Sequence, residues 1–461
     1  METIRRRIAN RSLAHGEKLP SIRAMAKIMG LSPSTVAEAY ERLGAEGLIR
    51  SRPGSGFYAA GSLPLALREV APRTDRSVDP LWVSRQSLDG GIEMIRPGCG
   101  WLPPEWMPEA AIRKAMRSLA KADATLLTDY GPSRGALGLR NLLVRQFADE
   151  GLSVGADQIL LASSGTQAID LVCRLLLQPG DTVLLDDPCY FNFQALMAAH
   201  RVTVVGVPRT KNGPDLAAFE AALKVHRPRL YVTNSAIHNP TGTTLSPQCA
   251  HRVLTLASRH DLMIVEDDIF AGFESDPSPR LAVLDGLDRT VRVGSFSKTL
   301  SASVRCGYIA AKADWIEELV DLQVATNFGG PSPMAAEIVA HVLSDGSYRR
   351  HLAALRTRLA KRRREATALL ASLNIEPWVE PLGGFYLWCR LPRGVDAAEA
   401  ARAALADNVL LAPGNVFSAG QTAAEWMRFN VTQMADSRLS NVLQSAIIST
   451  NSDSNGRNPE K

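Results

Sequence analysis

Hydrophobic and polar positions divide the chain into zones with different patterns. Residues 1–60 carry short apolar helical faces, whereas residues 61–90 mix proline, glycine and charge without steady periodicity, as linkers do. From about Gly91 to Ile448, short apolar runs alternate with amphipathic helical stretches, which predicts βαβ units and a mostly parallel sheet with helices on both faces. Residues 449–461 are polar and are expected to be disordered. The clearest apolar runs are residues 183–185, 230–232, 262–265 and 291–293.

The first zone begins with the pattern of a short helix. Ile22, Met25, Ile28 and Met29 fall at helical spacing and predict one apolar face. Gly30 follows them, and glycine accepts the left-handed conformation that ends a helix. We therefore expect a helix that stops at this glycine and a tight turn after it.

A second helix and a hairpin are predicted directly after this turn. Ser32 suits an N-cap and Pro33 suits the first helical position, where its missing N–H is no loss. The glycine-containing tip at residues 53–56 joins two short strand-like runs. Two helices and a hairpin indicate a winged helix-turn-helix, although a three-helix bundle that serves only for dimerisation would share the helical pattern. The inner face of the second helix is formed by Val36, Tyr40 and Leu43.

Charge separates the first zone from the rest of the chain. Of 52 basic and 47 acidic residues, ten basic and five acidic residues lie in residues 1–60, which leaves 42 of each elsewhere. A basic segment beside a neutral one points to a polyanionic partner, although a basic surface that is merely solvated would look the same.

The sequence of this segment resembles the GntR family of winged-helix repressors over residues 1–60. The resemblance implies binding to double-stranded operator DNA. Many relatives carry an arginine where this chain has Pro33, so a bidentate arginine–guanine contact is absent at that position. The motifs that carry the resemblance are Leu19-Pro20-Ser21-Ile22-Arg23, Ser34-Thr35-Val36, Ala39-Tyr40, Ala45-Glu46-Gly47 and Gly54-Ser55-Gly56-Phe57. The residues that it makes candidates for phosphate or base contact are Arg23, Ser34, Thr35, Arg52 and Gly56.

Composition restricts the class of protein further. Hydrophobic residues make up 46% of the chain and charged residues 21%, which is typical of globular proteins. No apolar run approaches the ~20 residues of a membrane span, and no apolar segment of a secretory signal follows the basic start. The six cysteines are scattered without a CxxC pair, which predicts reduced thiols and no metal site. We therefore expect a cytoplasmic protein that does not span a membrane.

Three polar motifs in the large zone match the needs of pyridoxal phosphate, which are a lysine, an acid and a phosphate cradle. Ser164, Gly165 and Thr166 precede an apolar helix, and the N–H groups at its start can hold a phosphate. Lys298 follows a strand and is the candidate lysine for the Schiff base and for catalysis. Its neighbouring candidate anion ligands are Ser295, Ser297 and Arg305.

The candidate acid comes from a pair at the end of another strand. Two adjacent acids there are costly unless one meets a cation, so we choose Asp267 as the partner of the pyridine nitrogen and keep Asp268 as the alternative. Asn239, in an Asn-Pro-Thr-Gly turn, places an amide near the position of the ring hydroxyl. Tyr190 is a candidate to stack on the ring, and its alternative role is that of a buried core aromatic.

The order of these motifs resembles fold-type I aminotransferases over roughly residues 91–447. The resemblance implies an α/β fold with a mostly parallel sheet and a smaller α+β subdomain, in the predicted domain of residues 91–448. It also implies that Arg428 grips the carboxylate of an amino acid. These enzymes usually have a tyrosine three residues after the ring aspartate, and this chain has Phe270, which puts efficient transamination in doubt.

A chain with both of these segments resembles the MocR subfamily of GntR regulators. This similarity implies a homodimeric regulator in which the large domain senses the cofactor and a small amine or amino-acid effector. The alternatives are a working aminotransferase that carries a DNA-binding domain and a pyridoxal-phosphate carrier with no role on DNA.

Overall fold

The chain divides into two compact units, which are described separately below. The computed structural model describes residues 1, 4, 13, 16–60, 78–91 and 93–455. The first unit is Met1–Thr74 and the second is Asp75–Lys461. None of the helices in these described ranges combines the length and the apolarity of a membrane span.

The first unit contains the two predicted helices and the predicted hairpin. Gly30 ends the first helix with φ 65°, and the Ser32 hydroxyl accepts a hydrogen bond from the Thr35 N–H over 3.1 Å as the N-cap of the second. The two strands pair antiparallel from Ile49–Ala59 to Arg52–Gly56. The elements are α1 (Ile22–Met29), α2 (Pro33–Ala45), β1 (Ile49–Arg52) and β2 (Gly56–Ala59).

The predicted inner face of α1 is only partly correct. Ala26 is the buried residue of this helix and packs in the core that also contains Tyr40 and Leu43. Ile28 lies about 200° around the helix from Ala26, and Met29 is the last residue of the helix. Their exposed fractions are therefore large, at 67% and 48%.

The second unit is built on two sheets and the helices around them. The strands of the large sheet are β3 (Ile159–Ala162), β4 (Thr182–Asp187), β5 (Thr203–Thr210), β6 (Gly213–Pro214), β7 (Leu230–Thr233), β8 (Met263–Asp267), β9 (Thr290–Ser295) and β10 (Gly307–Ala310). Those of the small sheet are β11 (Glu376–Pro377), β12 (Tyr386–Arg390), β13 (Ala412–Pro413) and β14 (Trp426–Asn430). The helices are α3 (Pro80–Asp89), α4 (Glu109–Leu119), α5 (Ala124–Thr128), α6 (Leu137–Asp149), α7 (Gly165–Leu176), α8 (Phe191–Ala199), α9 (Leu216–His226), α10 (Pro247–Arg259), α11 (Leu281–Asp285), α12 (Ala313–Asn327), α13 (Pro333–Ser344), α14 (Ser347–Ser372), α15 (Ala397–Ala406) and α16 (Arg438–Asn455).

The large sheet is mostly parallel and has helices on both faces, as the alternating pattern predicts. Its strand order is β3-β10-β9-β8-β7-β4-β5-β6, and the four pairs from β9 to β5 are parallel. Along β4, Leu185 packs in a core with residues of α7, whereas Leu184 packs on the other face with residues of α9 and α10. The carboxyl ends of β4, β7, β8 and β9 therefore meet at one edge. The small sheet is antiparallel in the order β11-β12-β14-β13.

Two helices differ from the sequence-based expectation. Helix α3 lies inside the segment of residues 61–90 that the pattern predicts as a linker, and its Trp82 and Val83 are buried in an aromatic core of the second unit. Helix α16 continues to Asn455, through the first residues of the predicted disordered tail. Its buried Leu439 and Leu443 anchor it. Residues 61–77 and 456–461 of these segments lie outside the described residues.

A buried cluster of charges stabilises the end of β8. Asp268 is fully buried and accepts hydrogen bonds from Arg280 Nε over 2.6 Å and from Arg292 Nε over 3.0 Å. Glu266, two residues earlier, accepts hydrogen bonds from the Leu281 N–H and the next N–H at the start of α11, over 2.7 and 2.8 Å. Buried charges are stable only when they are paired in this way.

We predict that Asp268→Asn destabilises the second unit by about 3–5 kcal/mol, because two buried arginines lose their shared carboxylate. Urea unfolding followed by tryptophan fluorescence measures this loss. The matched control is Asp276→Asn on an exposed loop, which should change stability by less than about 0.5 kcal/mol. Equal free energies of unfolding for the two variants would show that the charge cluster does not stabilise the second unit.

Candidate functional site

The candidate DNA contacts lie on the surface of the first unit. Ser34 and Thr35 are exposed in the first turn of α2, and each hydroxyl lies 2.7 Å from the Ser32 hydroxyl. Arg23 is exposed on α1. Arg52 ends β1 with its guanidinium 4.6 Å from the centre of the Tyr58 ring. Gly56 begins β2 with φ 106°, a conformation that favours glycine.

The candidate cofactor residues meet in one cavity of the second unit, at the carboxyl edge of the large sheet. The cavity has a volume of about 170 Å³. It brings together residues from six separate parts of the sequence, which the motif order alone could not show. The ten predicted residues that line it are Ser164, Gly165, Thr166, Tyr190, Asn239, Asp267, Ser295, Ser297, Lys298 and Arg305.

One end of the cavity has the groups that a phosphate requires. Ser164 is the N-cap of α7 and accepts a hydrogen bond from the Gln167 N–H over 3.0 Å, so the first N–H groups of the helix point to the cavity. The hydroxyls of Ser295 and Ser297 lie 2.8 Å apart beside them. The Arg305 guanidinium has no hydrogen bond or ion pair within the described part of the chain. Hydroxyls, helix N–H groups and an arginine form a donor set that fits a phosphate.

Sequence reasoning missed Gly307, which makes this cradle possible. A Cβ at this position would lie 2.8 Å from the Gly294 oxygen and 3.0 Å from the Ser164 carbonyl carbon. Only glycine therefore allows β10 to pass directly behind the cradle. A glycine after Arg305 is a weak signal in a single sequence, because the close approach becomes visible only in three dimensions.

Lys298 projects into the cavity from the segment after β9. Its Nζ donates a hydrogen bond to the Gly100 oxygen over 2.6 Å. Burial, together with the nearby cations Arg428 and Arg305, lowers the pKa of this amine to about 8. A larger fraction of the amine is therefore neutral near pH 7 than in an ordinary lysine, and a neutral amine is the form that reacts with an aldehyde.

The structure distinguishes between the two candidate acids. Asp267 lines the cavity and accepts a hydrogen bond from the Ile269 N–H over 3.1 Å, whereas Asp268 is paired with arginines behind the sheet edge. Burial raises the pKa of Asp267 to about 7. Within the described residues this carboxyl takes part in no ion pair. A protonated pyridine nitrogen fits as its missing cation, because a positive charge there would restore the ionised form.

Arg428 lies fully buried beside the cavity. Its Nη1 donates to Asn239 Oδ1 over 2.9 Å and its Nη2 donates to the Gly98 oxygen over 2.8 Å, but its buried Nε has no partner among the described residues. The Tyr386 ring lies 4.2 Å from the guanidinium. The arginine is thus held against the cavity wall through Asn239, with one donor still unsatisfied.

Aromatic residues complete the walls. Tyr190 is half-buried, lines the cavity and packs on Phe193 with 5.4 Å between ring centroids. Phe270 also lines the cavity, and its side chain offers no donor. Sequence reasoning missed Tyr386, which packs edge-to-face on Phe270 and donates its hydroxyl to the Gly100 oxygen over 3.0 Å. Its position on β12 is far from the other motifs in sequence, so only the fold brings it to the site.

We predict that pyridoxal phosphate reacts with the protein at a rate that rises with pH and levels off above about pH 8. The reason is that the lowered pKa of Lys298 makes its amine neutral in this range. An ordinary lysine, with a pKa of about 10.4, would give a rate that still rises above pH 9. Stopped-flow absorbance measures the rate.

Borohydride reduction should then leave the phosphopyridoxyl group on the peptide that contains Lys298. Lys298→Ala should abolish this label, and the surface control Lys312→Ala should keep it. A label that persists in Lys298→Ala would show that another lysine is used.

Comparisons with protein families agree with the division of the chain. The family model for aminotransferase class I and II matches residues 103–445, and the model for bacterial regulatory proteins of the gntR family matches residues 1–59. Among solved structures, LysN, an α-aminoadipate aminotransferase of Thermus thermophilus complexed with N-(5'-phosphopyridoxyl)-L-leucine, is 25% identical with a TM-score of 0.73, and the match covers 80% of this chain and 95% of that one. A kynurenine aminotransferase of Pyrococcus horikoshii has the same TM-score of 0.73 at 22% identity, and the match covers 82% of this chain and 96% of that one. The predicted α/β class and fold-type I architecture are thereby confirmed.

Curated relatives match the chain across both units. An uncharacterized HTH-type transcriptional regulator of Escherichia coli (strain K12), YdcR, is 30% identical over 441 residues, which cover 93% of each chain. The HTH-type transcriptional regulator NorG of Staphylococcus aureus (strain USA300) is 27% identical over 414 residues, which cover 87% of this chain and 92% of that protein. The chain therefore belongs to the MocR-type transcriptional regulators, in which a GntR-type helix-turn-helix domain is joined to an aminotransferase class I and II domain.

Proposed function

We propose that the protein is a DNA-binding regulator whose second unit binds pyridoxal phosphate and senses a small amine or amino acid. The observation that carries this proposal is that all ten predicted cofactor residues line one cavity, in a chain whose other unit is a winged helix-turn-helix. We take the two units to be a DNA-binding domain, residues 1–60, and a sensor domain, residues 91–448. Because the proposed role is binding to operator DNA, we place the protein in the cytoplasm.

The cofactor site is supported by what each group does in the cavity. Ser295, Ser297 and Arg305 hold the phosphate with the N–H groups at the start of α7. Lys298 supplies a neutral amine, and Asp267 supplies a carboxylate for the ring nitrogen. Bound pyridoxal phosphate provides an aldehyde and an electron-withdrawing ring, which give the site its reactivity toward amines.

The effector is proposed from the state of Arg428. Among the described residues, this buried arginine donates hydrogen bonds only to neutral oxygens, those of Asn239 and Gly98, and its Nε is unsatisfied. A carboxylate is the planar anion that a guanidinium binds best. A ligand with an amine for the cofactor and a carboxylate for Arg428 therefore satisfies both ends of the site, and this description is that of an amino acid.

A homodimer is proposed from an apolar surface near the phosphate cradle. Tyr130 and Phe328 pack edge-to-face with 5.0 Å between their centroids, yet their exposed fractions are 78% and 68%. Asn327, next to this pair, lies 3.5 Å from the Ser163 hydroxyl beside the cradle. Exposed aromatic pairs of this kind mark interaction surfaces, and a second copy of the chain is the occupant that we propose.

A working aminotransferase that carries a DNA-binding domain is the second candidate. Lys298 and Asp267 favour it, because both face the cavity as catalysis would require. Phe270 disfavours it, because a phenylalanine cannot donate a hydrogen bond to the ring hydroxyl. We therefore expect slow amino-group transfer at most.

The proposal is tested by a genomic footprint of the full-length protein with cofactor, with and without each amino acid. We expect at least one amino acid to change operator affinity by about 5–150-fold, which corresponds to the usual coupling energy between sites. Arg428→Gln should keep the cofactor and the basal footprint but lose this response. Arg390→Gln, an exposed arginine on the same sheet, is the matched control and should keep it.

Two results would overturn this proposal. Rapid multiple-turnover transfer to a 2-oxo acid, with DNA affinity that ignores every amino acid, would support the enzyme. A footprint with no protected DNA would exclude a role as a DNA-binding regulator.

A further inference from the structure

Helix α14 (Ser347–Ser372) carries a strongly basic surface that the sites described above leave out. Its 26 residues include eight Lys and Arg but only one acidic residue, Glu365. Residues 61–461 hold 42 basic and 42 acidic residues, so the remainder of that part of the chain has a surplus of seven acids. Residues 61–461 are thus net acidic outside this helix, and the helix itself is strongly basic. Its basic residues are Arg349, Arg350, Arg356, Arg358, Lys361, Arg362, Arg363 and Arg364.

Some of these side chains hold the helix in place. Arg356 Nε donates to the Gly272 oxygen over 3.0 Å, and Arg363 Nη1 donates to the Gly384 oxygen over 2.7 Å. The Arg358 guanidinium lies 3.6 Å from the centre of the Trp106 ring. These three arginines have structural roles within the second unit.

The other side chains point outward. Arg362 and Lys361 share Glu365 at 2.7 and 3.8 Å. Three exposed arginines form what we call the basic face of α14, and they are Arg349, Arg350 and Arg364. Within the described residues, no acid pairs with their guanidinium groups.

Two of the three arginines of the basic face lie opposite the packed side of the helix. Leu355, Leu359 and Ala366 are buried, and at 100° per residue Arg350 and Arg364 point away from them, within about 40° of each other. They are 14 residues apart, which is about 21 Å along the helix. No acid among the described residues neutralises these side chains, so the face is an uncompensated positive surface that attracts a partner of opposite charge.

We propose that the basic face of α14 binds the phosphate backbone of duplex DNA, in addition to the contacts of the winged helix-turn-helix. This inference rests on the proposed DNA-binding function. Duplex DNA carries one negative charge per about 1.7 Å of its axis, so arginines at two points about 21 Å apart can each meet a phosphate of this dense and regular anion. Arginine also matches phosphate geometry in bidentate fashion. The contact reads no sequence, and it extends the footprint of the regulator.

The experiment measures the salt dependence of binding of the full-length, cofactor-loaded protein to a mixed-sequence 60-base-pair duplex. Each phosphate contact adds about 0.9 to the slope of log affinity against log salt concentration. The triple variant Arg349→Gln, Arg350→Gln, Arg364→Gln should lower the slope by about 2 to 3 for each protomer on the duplex. Between 50 and 200 mM salt, wild-type affinity should then fall about 40-fold more than that of the variant.

The matched control removes three exposed helical arginines elsewhere in the second unit, with Arg117→Gln, Arg145→Gln and Arg252→Gln. It makes the same change in net charge and should leave the slope as in the wild type. The single variants of the basic face should each lower the slope by about 0.9, which keeps the test decisive if the triple variant folds poorly.

The outcomes separate this inference from the proposed function. A wild-type protein that binds the duplex with a slope equal to that of the triple variant overturns the role of α14 alone. A wild-type protein that does not bind DNA overturns both. A third outcome is that the triple variant keeps the wild-type salt slope on DNA but loses binding to phosphatidylserine vesicles, which the wild type and the control bind. This result overturns the DNA assignment and favours a membrane as the partner.

Discussion

The second unit depends on how three consecutive acids are accommodated at the buried end of β8. Glu266 accepts hydrogen bonds from the first N–H groups of α11, and Asp268 is neutralised by two buried arginines. Asp267 alone faces the cavity and Lys298. An unpaired buried carboxylate is costly, and this cost is offset when a cation occupies the cavity. The same pairing that anchors the strand therefore leaves one acid free for a cationic ring.

Most of the site could be predicted from the sequence because its groups are set by short motifs that end strands. Parallel strands bring their carboxyl ends to one edge, which places the predicted cradle, lysine and acid in one cavity, although motif order alone could not show this. The choice between Asp267 and Asp268 was not decidable from spacing, since it depends on which side of the edge the arginines lie. Gly307 and Tyr386 were missed because their roles come from close approach in three dimensions.

The remaining differences also have physical causes. The apolar pattern of α1 overestimated its inner face, because an eight-residue helix buries only the positions that meet its neighbour. Overall charge concealed the surplus on α14, because acids elsewhere in the second unit balance it. The linker prediction overlooked Trp82, whose burial requires the aromatic core that the small sheet provides.

The segment from Gly98 to Gly100 connects the two ends of the site, since its carbonyls accept hydrogen bonds from Arg428 and from Lys298. A ligand that engages both cations would compete with this segment for their donors, which would give a cofactor and an effector a shared structural consequence. A ligand shifts a protein between conformations only by its difference in affinity for them, and the coupling is reciprocal. The most direct measurement is therefore a spectroscopic titration of the cofactor-loaded protein with the amino acid that the footprint identifies as the proposed effector, with and without operator DNA. Our account predicts that DNA changes effector affinity by the same factor by which the effector changes DNA affinity; identical titrations with and without DNA would contradict it.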